Sequence, residues 1–402
     1  MDLVTRRALL VAGLNTSFIS SLPRFLQSTP PRMKARGKVG DIGGAVVPSA
    51  IISVADFGGR PGAGRAALTN AFNRAFDILR RRGGGTLFVP PGIYDFGSYV
   101  EPAYIILCRD LRNVAISAYG AIFAARTSAN VVPNMFYFVN FQNVTIAGAS
   151  FVDLGFNPWV NWRGMYCVGI QANETSFLLR MVDCYAQRVV GLLASNNNKT
   201  TRQYISHVSV QAEVQNSYYG VGSSYIKKNV DVELVCHNVR RAFISASLNT
   251  ATIKIKATNS AFWPGSNGLV SLATSGTSTG NVENVLVKVD VSGECIHSAY
   301  VHFYHQGPEI SGYMRDIDAT VNVLERNSDG NLFLFDHEVD RILSKTGRTW
   351  DRISLHGTVA DNFRGEIISN PSVTTSPGTI YIDHKLAKAL HGKILAAGFH
   401  VR

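Results

Sequence analysis

The feature that most constrains this chain is a short pattern that returns along it, in which apolar and polar residues alternate. Residues 111–116 carry this pattern, and residues 141–146 repeat it. Side chains of a strand point alternately to its two sides, so each such segment is expected to be a half-buried β-strand. The alternation returns at residues 205–210, 228–234, 282–287 and 350–355. A second short strand is predicted after a polar turn at residues 191–195, 220–224, 242–247, 268–273, 299–304 and 331–336.

The spacing of these segments limits the architecture. The repeat is roughly 20 to 36 residues long, and a β-only repeat of this length indicates a solenoid or a propeller. A propeller blade needs four strands and about 40 residues, which most of the intervals lack. No segment with helical periodicity separates the strands, which argues against βαβ folds. The sequence therefore predicts an all-β solenoid whose coils contain two or three short strands.

One helix is expected before the repeats begin. Apolar residues recur there at helical spacing and form one stripe; they are Leu68, Phe72, Ala75, Phe76 and Leu79. Gly83, Gly84 and Gly85 then end the helix, because glycine readily takes the left-handed conformation that follows a helix. A helix with one apolar face in front of a stack of strands predicts a cap on the open end of the solenoid.

The segment around this helix resembles the start of the pectate-lyase superfamily, which contains pectinases, polysaccharide lyases and phage tailspikes. The matching residues are Asp56-Phe57-Gly58, Gly83-Gly84-Gly85-Thr86, Pro90-Pro91-Gly92 and Tyr94. The chain departs from the family at Ala67-Leu68-Thr69-Asn70, where an acidic helix start is usual. The resemblance covers about one eighth of the chain. It implies a right-handed parallel β-helix with an N-terminal capping α-helix, and a protein that acts on carbohydrate.

Three regions are expected along the chain. Residues 1–36 have the form of an export signal, with the paired arginines Arg6-Arg7 of a twin-arginine signal before a short apolar stretch. A disordered basic tail is the alternative for that segment. Residues 48–370 are predicted to form the parallel β-helix, and residues 371–402 a C-terminal cap with a strand near Thr379–Ile382 and a short helix near Leu386–Leu390.

The composition limits the classes of molecule that the protein is expected to bind. The formal net charge of +11 favours an anionic partner, such as an acidic polysaccharide, a nucleic acid or a phospholipid. The same charge could simply keep an exported protein soluble. No nucleic-acid-binding module is present in the sequence, and no run of 18 apolar residues predicts a membrane-spanning helix. The five cysteines are scattered without metal-binding spacing, which favours structural, buried thiols.

Titratable side chains are concentrated in two consecutive coils. They are Glu294, His297, His302, Tyr304, His305, Asp336, His337 and Glu338. Aligning the coils puts Ser223, Ser245, Ser271, His302 and Leu334 in one outward column, and Asn196, Tyr225, Ser247, Ala273, Tyr304 and Asp336 in another. Most coils offer small polar residues in these columns, whereas these two offer groups able to transfer protons. The alternative is that such residues are solvated bystanders on the surface.

Two further groups are candidates for substrate binding. Arg240 and Arg241 lie in a predicted turn, and a guanidinium can neutralise a carboxylate through a bidentate fork. Trp159, Trp162 and Arg163 lie in a segment that breaks the strand pattern, where aromatic rings could stack against sugars. These residues could also be an exposed turn and a packed loop, respectively.

No cofactor is expected, since the sequence has no P-loop, no Rossmann fingerprint and no HExxH motif. A metal held by His302, His305 and His337 is a minor alternative. The hydrolase motifs of the pectinases and the acidic calcium clusters of the pectate lyases are absent.

The resemblance and the basic charge together favour a lyase that cleaves an acidic polysaccharide by β-elimination. Arg240 or Arg241 would hold the uronate carboxylate, His302 or His305 would take the proton, and Tyr304 would protonate the leaving oxygen. One alternative is a glycoside hydrolase that uses Asp336 with Glu338 or Glu294. Another is a non-catalytic glycan-binding or tail-fibre module. Tailspike relatives are often trimers, which leaves a homotrimer open for this chain.

Overall fold

The computed structural model describes residues 50–99, 104–128, 132–157, 163–171, 177–196, 205–223, 226–245, 247–260, 268–274, 281–294, 299–305, 313–325, 330–337, 350–361, 363, 365–369, 379–389 and 399–402. All of them belong to one unit, Ala45–Arg402. The predicted export signal or tail at residues 1–36 lies outside the described residues.

The described chain consists of short strands with a helix near each end. The helices are α1 (Arg65–Arg82) and α2 (His384–Ala389), and a 3-10 turn lies at Val54–Phe57. In chain order the strands are β1 (Ile51–Ser53), β2 (Gly85–Phe88), β3 (Gly92–Tyr99), β4 (Tyr104–Arg109), β5 (Arg112–Ser117), β6 (Ala121–Thr127), β7 (Asn134–Val139), β8 (Gln142–Ala147), β9 (Ser150–Asp153), β10 (Tyr166–Gln171), β11 (Phe177–Gln187), β12 (Gly191–Asn196), β13 (Ile205–Ser223), β14 (Ile226–Ser245), β15 (Leu248–Thr258), β16 (Val270–Thr274), β17 (Val282–Ser292), β18 (Ala299–His305), β19 (Met314–Val323), β20 (Asn331–His337), β21 (Trp350–Thr358), β22 (Ile368–Ser369), β23 (Ile380–Ile382) and β24 (Phe399–Val401).

The strands stack in parallel as three ladders. The first ladder begins with β1, β2, β5 and β8, and ends with β21, β23 and β24. The second begins with β3, β6 and β9, and both continue through β11, β13 and the long strands that follow. The third ladder runs β4, β7, β10, β12, β13, β14, β16, β18, β20 and β22. Register partners are 19 to 36 positions apart in sequence. The predicted parallel β-helix is confirmed.

Helix α1 closes the N-terminal end of the solenoid, as its apolar stripe predicts. Leu68, Phe72 and Leu79 are fully buried, and the ring of Phe72 lies 5.9 Å from the rings of both Phe123 and Phe136. Gly83 ends the helix with φ 75°, and its N–H donates to the carbonyl oxygen of Arg80. The first residues of the repeats therefore have an apolar surface above them instead of water.

A column of asparagines marks the start of the first-ladder strands. Asn113, Asn143, Asn229 and Asn284 all have φ between 50° and 56°. Asparagine tolerates this left-handed region better than other residues with a side chain. The Asn143 amide also donates to Asn113 Oδ1 at 2.9 Å. The Asn-Val pairs thus encode a bend as well as a strand in the coils that carry them, whereas other residues, such as Leu178 and Thr250, take the same conformation in other coils.

The stacking extends beyond residue 370. Strand β23 pairs with β21 through Ile380 and Ile353, and β24 pairs with β23. Asp383 accepts a hydrogen bond from the Leu386 backbone and so caps α2 at its start. Neither described helix is long and apolar enough to cross a membrane.

Candidate active site

The candidate site lies on the outer side of the third ladder, where β16, β18 and β20 stack. Val301 and Phe303 of β18 point into the core, so His302 and Tyr304 between and after them point outward. His302 pairs with Leu334 on the next coil, and Tyr304 pairs with Asp336. Stacked strands are about 4.8 Å apart. The structure therefore makes Tyr304 and Asp336 immediate neighbours, as the alignment of the coils predicts.

Two of the aligned serines occupy a different column. Ser223 pairs with Ser245, and Ser245 pairs with Leu272, which belongs to the core. The outward column that leads to His302 instead contains Gly222 and Ile244. The alignment is off by one residue in these two coils, and a shift of one residue moves a side chain to the other side of a strand.

His302 is the least exposed member of the cluster, with 0% of its surface accessible. Its ring stacks on that of Tyr304, with centroids 5.2 Å apart and 28° between the planes. Nε2 lies 3.6 Å from Oδ2 of Asp336, but neither ring nitrogen makes a hydrogen bond to the described residues. Burial lowers the pKa of His302 below its ordinary value, although Asp336 opposes the change. The histidine is therefore a neutral, buried group in contact with Tyr304 and Asp336.

Arg240 and Arg241 lie on β14 of the same ladder, stacked on aromatic rings. The Arg240 guanidinium lies 4.3 Å from the ring centre of Tyr218, and that of Arg241 lies 5.8 Å from Tyr219. Burial lowers the pKa of Arg240, and Arg241 is close enough to His302 to lower the pKa of that histidine. Cation–π contacts with these rings contribute to holding the two guanidiniums in place. Both arginines lie in a strand, whereas the sequence predicted a turn at this position.

Tyr218 and Tyr219 belong to the same cluster as Arg240 and Arg241, and no pattern in the sequence identified them. The rings of Tyr218 and Tyr219 are 4.4 Å apart. Burial raises the pKa of Tyr219 to about 12, although Arg241 acts in the opposite direction. Tyr166 lies two coils earlier and packs over Gly191, where a Cβ would be 2.6 Å from its ring. Only the register shows that Tyr166, Tyr219 and Arg241 form one column.

One carboxylate that the sequence suggested lies in the third ladder, to which β13 and β14 contribute residues 219–223 and 241–245. Asp336 is the one acidic residue in the described segments of this ladder, and 36% of its side chain is exposed. Glu294 is exposed and lies at the turn before β18, where its N–H donates to Asn259. Glu294 therefore precedes β18, whereas Asp336 pairs with Tyr304 near the end of β18.

Several predicted residues cannot be placed in the site. His297, Trp159, Trp162, Tyr225 and Glu338 lie outside the described residues. Arg163 is exposed and precedes β10. His305 and His337 are register partners in β18 and β20. Within the part of the chain that the structure describes, no three histidine, cysteine or acidic side chains could hold a metal ion.

No protein-family model matches the sequence, and no curated protein matches it either. Among solved structures, a sulfated-galactose galactohydrolase is similar at 12% identity, with a TM-score of 0.42, over 80% of this chain and 91% of that one. A mutant tailspike of the E. coli bacteriophage HK620 is similar at 13% identity, with a TM-score of 0.46, over 88% of this chain. This chain spans 63% of the tailspike chain. A Thermotoga maritima exopolygalacturonase is similar at 12% identity, with a TM-score of 0.30, over 78% of this chain and 89% of that one.

Proposed function

We propose that this protein cleaves an acidic, uronate-containing polysaccharide by β-elimination on the outer side of the third ladder. In this reaction the enzyme neutralises the uronate carboxylate, removes the adjacent C5 proton and protonates the oxygen that leaves C4. The site contains a group suited to each task. The resemblance of residues 56–94 to the pectate-lyase superfamily supports the class of substrate.

The observation that carries the proposal is the combination of cations with a single carboxylate. Arg241 is fixed by Tyr219 on the same ladder as Tyr304 and Asp336. An arginine fork neutralises the substrate carboxylate and makes the C5 hydrogen more acidic. Hydrolysis of a glycoside instead requires two carboxyl groups facing one bond. Among the described segments that stack in this ladder, Asp336 is the one carboxylate.

The burial of His302 favours Asp336 over this histidine as the base. His302 is inaccessible to a polymer, whereas Asp336 is partly exposed next to Tyr304. Asp336 therefore takes the C5 proton, and the electrons of the C5–H bond form the C4=C5 double bond. The C4–O bond breaks, and its oxygen takes the Tyr304 phenol proton. Asp336 then returns its proton to the Tyr304 phenolate, so the enzyme is unchanged and no water is consumed.

His302 acts in this scheme as a positioning residue. Its ring supports the Tyr304 ring from below, and its Nε2 faces Asp336. A neutral imidazole serves this purpose better than a charged one, because a buried cation would attract the Asp336 carboxylate and weaken it as a base.

The test is cleavage of a panel of uronate polymers, followed by the ultraviolet absorbance of the unsaturated product. Tyr304→Phe keeps the ring and loses the proton, so activity should fall about 10²- to 10⁴-fold. Arg241→Gln and Asp336→Asn should have effects of the same order. Arg74→Gln, which changes an exposed arginine on α1, is the matched control and should have no effect.

Other outcomes would select other functions. New reducing ends without unsaturation would identify a hydrolase and make Glu338 the second carboxylate to examine. Binding of a polymer without cleavage, unchanged by Tyr304→Phe and Asp336→Asn, would identify a non-catalytic glycan-binding module. Full activity of Tyr304→Phe would refute the assignment of the acid.

A further inference from the structure

An exposed tyrosine and a half-buried tyrosine stack on each other near the N-terminal end of the third ladder. The rings of Tyr104 in β4 and Tyr137 in β7 are parallel to within 2°, with centroids 5.8 Å apart. Tyr104 keeps 38% of its surface accessible, and Tyr137 is half-buried. Exposed aromatic rings keep apolar surface in contact with water, which is unfavourable. A pair held parallel in this way therefore points to a ligand with a flat apolar face.

The coil that follows leaves room for this pair. Gly169 pairs with Tyr137 in the third ladder. A Cβ at Gly169 would lie 2.1 Å from Oδ1 of Asn134 and 2.9 Å from Cδ2 of the Tyr137 ring, closer than packing allows. The absence of a side chain at this position therefore leaves room for the Tyr137 ring on the outer side of the ladder.

The stacked pair lies on the same ladder as the candidate active site. From β7 the ladder passes through β10, β12, β13, β14 and β16 to β18. Six steps of about 4.8 Å place Tyr137 about 29 Å from His302 along the solenoid. The outward column between them contains Gly169, Ala194, Gly222, Ile244 and Ser271. These side chains carry no charge and only one of them is large, so nothing in this column repels or blocks an anionic polymer.

We infer that Tyr104 and Tyr137 form a distal sugar-stacking subsite, which holds a polysaccharide chain about 29 Å from the bond that is cleaved. The inference rests on the proposed function for the identity of the polymer. The two ends of this stretch of the third ladder contribute different interactions. Arg241 binds charge, whereas the tyrosine pair binds the apolar face of a pyranose ring and tolerates any charge pattern on it. A substrate that reaches both ends binds more tightly than one that reaches only Tyr304.

The test compares long and short substrates of the same polymer. Tyr104→Ala and Tyr137→Ala should raise the KM for the polymer on the order of tenfold, because aromatic contacts of this kind contribute about 0.5 to 1.5 kcal/mol each. The kcat should not change, and oligosaccharides too short to reach from Tyr304 to Tyr137 should be cleaved as by the wild type. Tyr119→Ala is the matched control, since Tyr119 is 53% exposed but lies between β5 and β6, away from the third ladder.

Binding measured by calorimetry on a Tyr304→Phe background separates this inference from the proposed function. Weaker binding of the polymer after Tyr104→Ala, with short oligosaccharides unaffected, supports the distal subsite whether or not the reaction is an elimination. Equal losses for long and short substrates would overturn it and indicate a structural role for the pair. An unchanged KM would also overturn it while leaving the lyase intact. A wild-type protein that neither binds nor cleaves any uronate polymer would overturn both.

Discussion

His302→Leu should leave the protein at least as stable as the wild type and should impair its activity. The substitution removes two buried ring nitrogens that make no hydrogen bond to the described residues. The environment favours an apolar side chain of similar size, since Leu334 is the register partner of His302 and Tyr304 stacks on its ring. A histidine kept at such a position is expected to serve function at the expense of stability.

The expected change in the free energy of unfolding is the sum of opposing contributions. A buried polar atom without a hydrogen bond costs about 1 to 3 kcal/mol, which leucine would recover. Loss of the ring contact with Tyr304 costs about 0.5 to 1.5 kcal/mol. Loss of the contact between Nε2 and Asp336, at 3.6 Å, is small because water reaches that carboxylate. The free energy of unfolding should therefore rise by about 0 to 2 kcal/mol.

The pH dependence gives an independent signature. The pKa of His302 in the folded protein lies below the ordinary value of 6.5, mainly because the ring is buried. Below that pH the unfolded chain binds a proton that the folded chain does not, so the wild type loses stability as the pH falls. Each pKa unit of the difference corresponds to about 1.4 kcal/mol. His302→Leu should lose this component of the pH dependence.

Urea unfolding followed by circular dichroism, at a pH above 6.5 and at one below it, measures both effects. His237→Leu is the control, because His237 lies on the same solenoid but is 41% exposed. The reasoning fails if His302→Leu lowers the free energy of unfolding by more than about 0.5 kcal/mol, or if its pH dependence matches that of the wild type.

Three further predictions concern the fold. Phe72→Ala, which empties a site among four other buried rings, should cost about 3 to 5 kcal/mol in thermal or urea unfolding, whereas Arg74→Ala on the exposed side of α1 should cost almost nothing. Asn143→Val should destabilise the protein by about 1 to 2 kcal/mol, because a β-branched residue is strained at φ 53°, and Asn143→Gly should cost less; equal costs would contradict this explanation. The Cys184 thiol, whose pKa burial raises to about 12, should resist alkylation until urea unfolds the chain, and rapid labelling of the native protein would show that it is accessible.

Local chemistry was enough to predict the strands, the helix and the cap. The alternation at residues 111–116 and the apolar stripe from Leu68 to Leu79 each depend on neighbours within one element, so the sequence carries them directly. The helix Arg65–Arg82 and the parallel stacking of β18 on β16 agree with these patterns. The pairing of Tyr304 with Asp336 also followed from the repeat, because these two coils have similar spacing.

The exact register and the burial of the site depend on the tertiary structure. Ser223 and Ser245 were placed one residue out, because a coil of different length shifts all residues after its turn. The 0% exposure of His302 depends on residues from several coils and has no signature in its own segment. The same is true of the stacking of Arg241 on Tyr219 and of Tyr104 on Tyr137. Sequence periodicity determines which side of a strand a residue faces, whereas contacts between coils determine what it meets there.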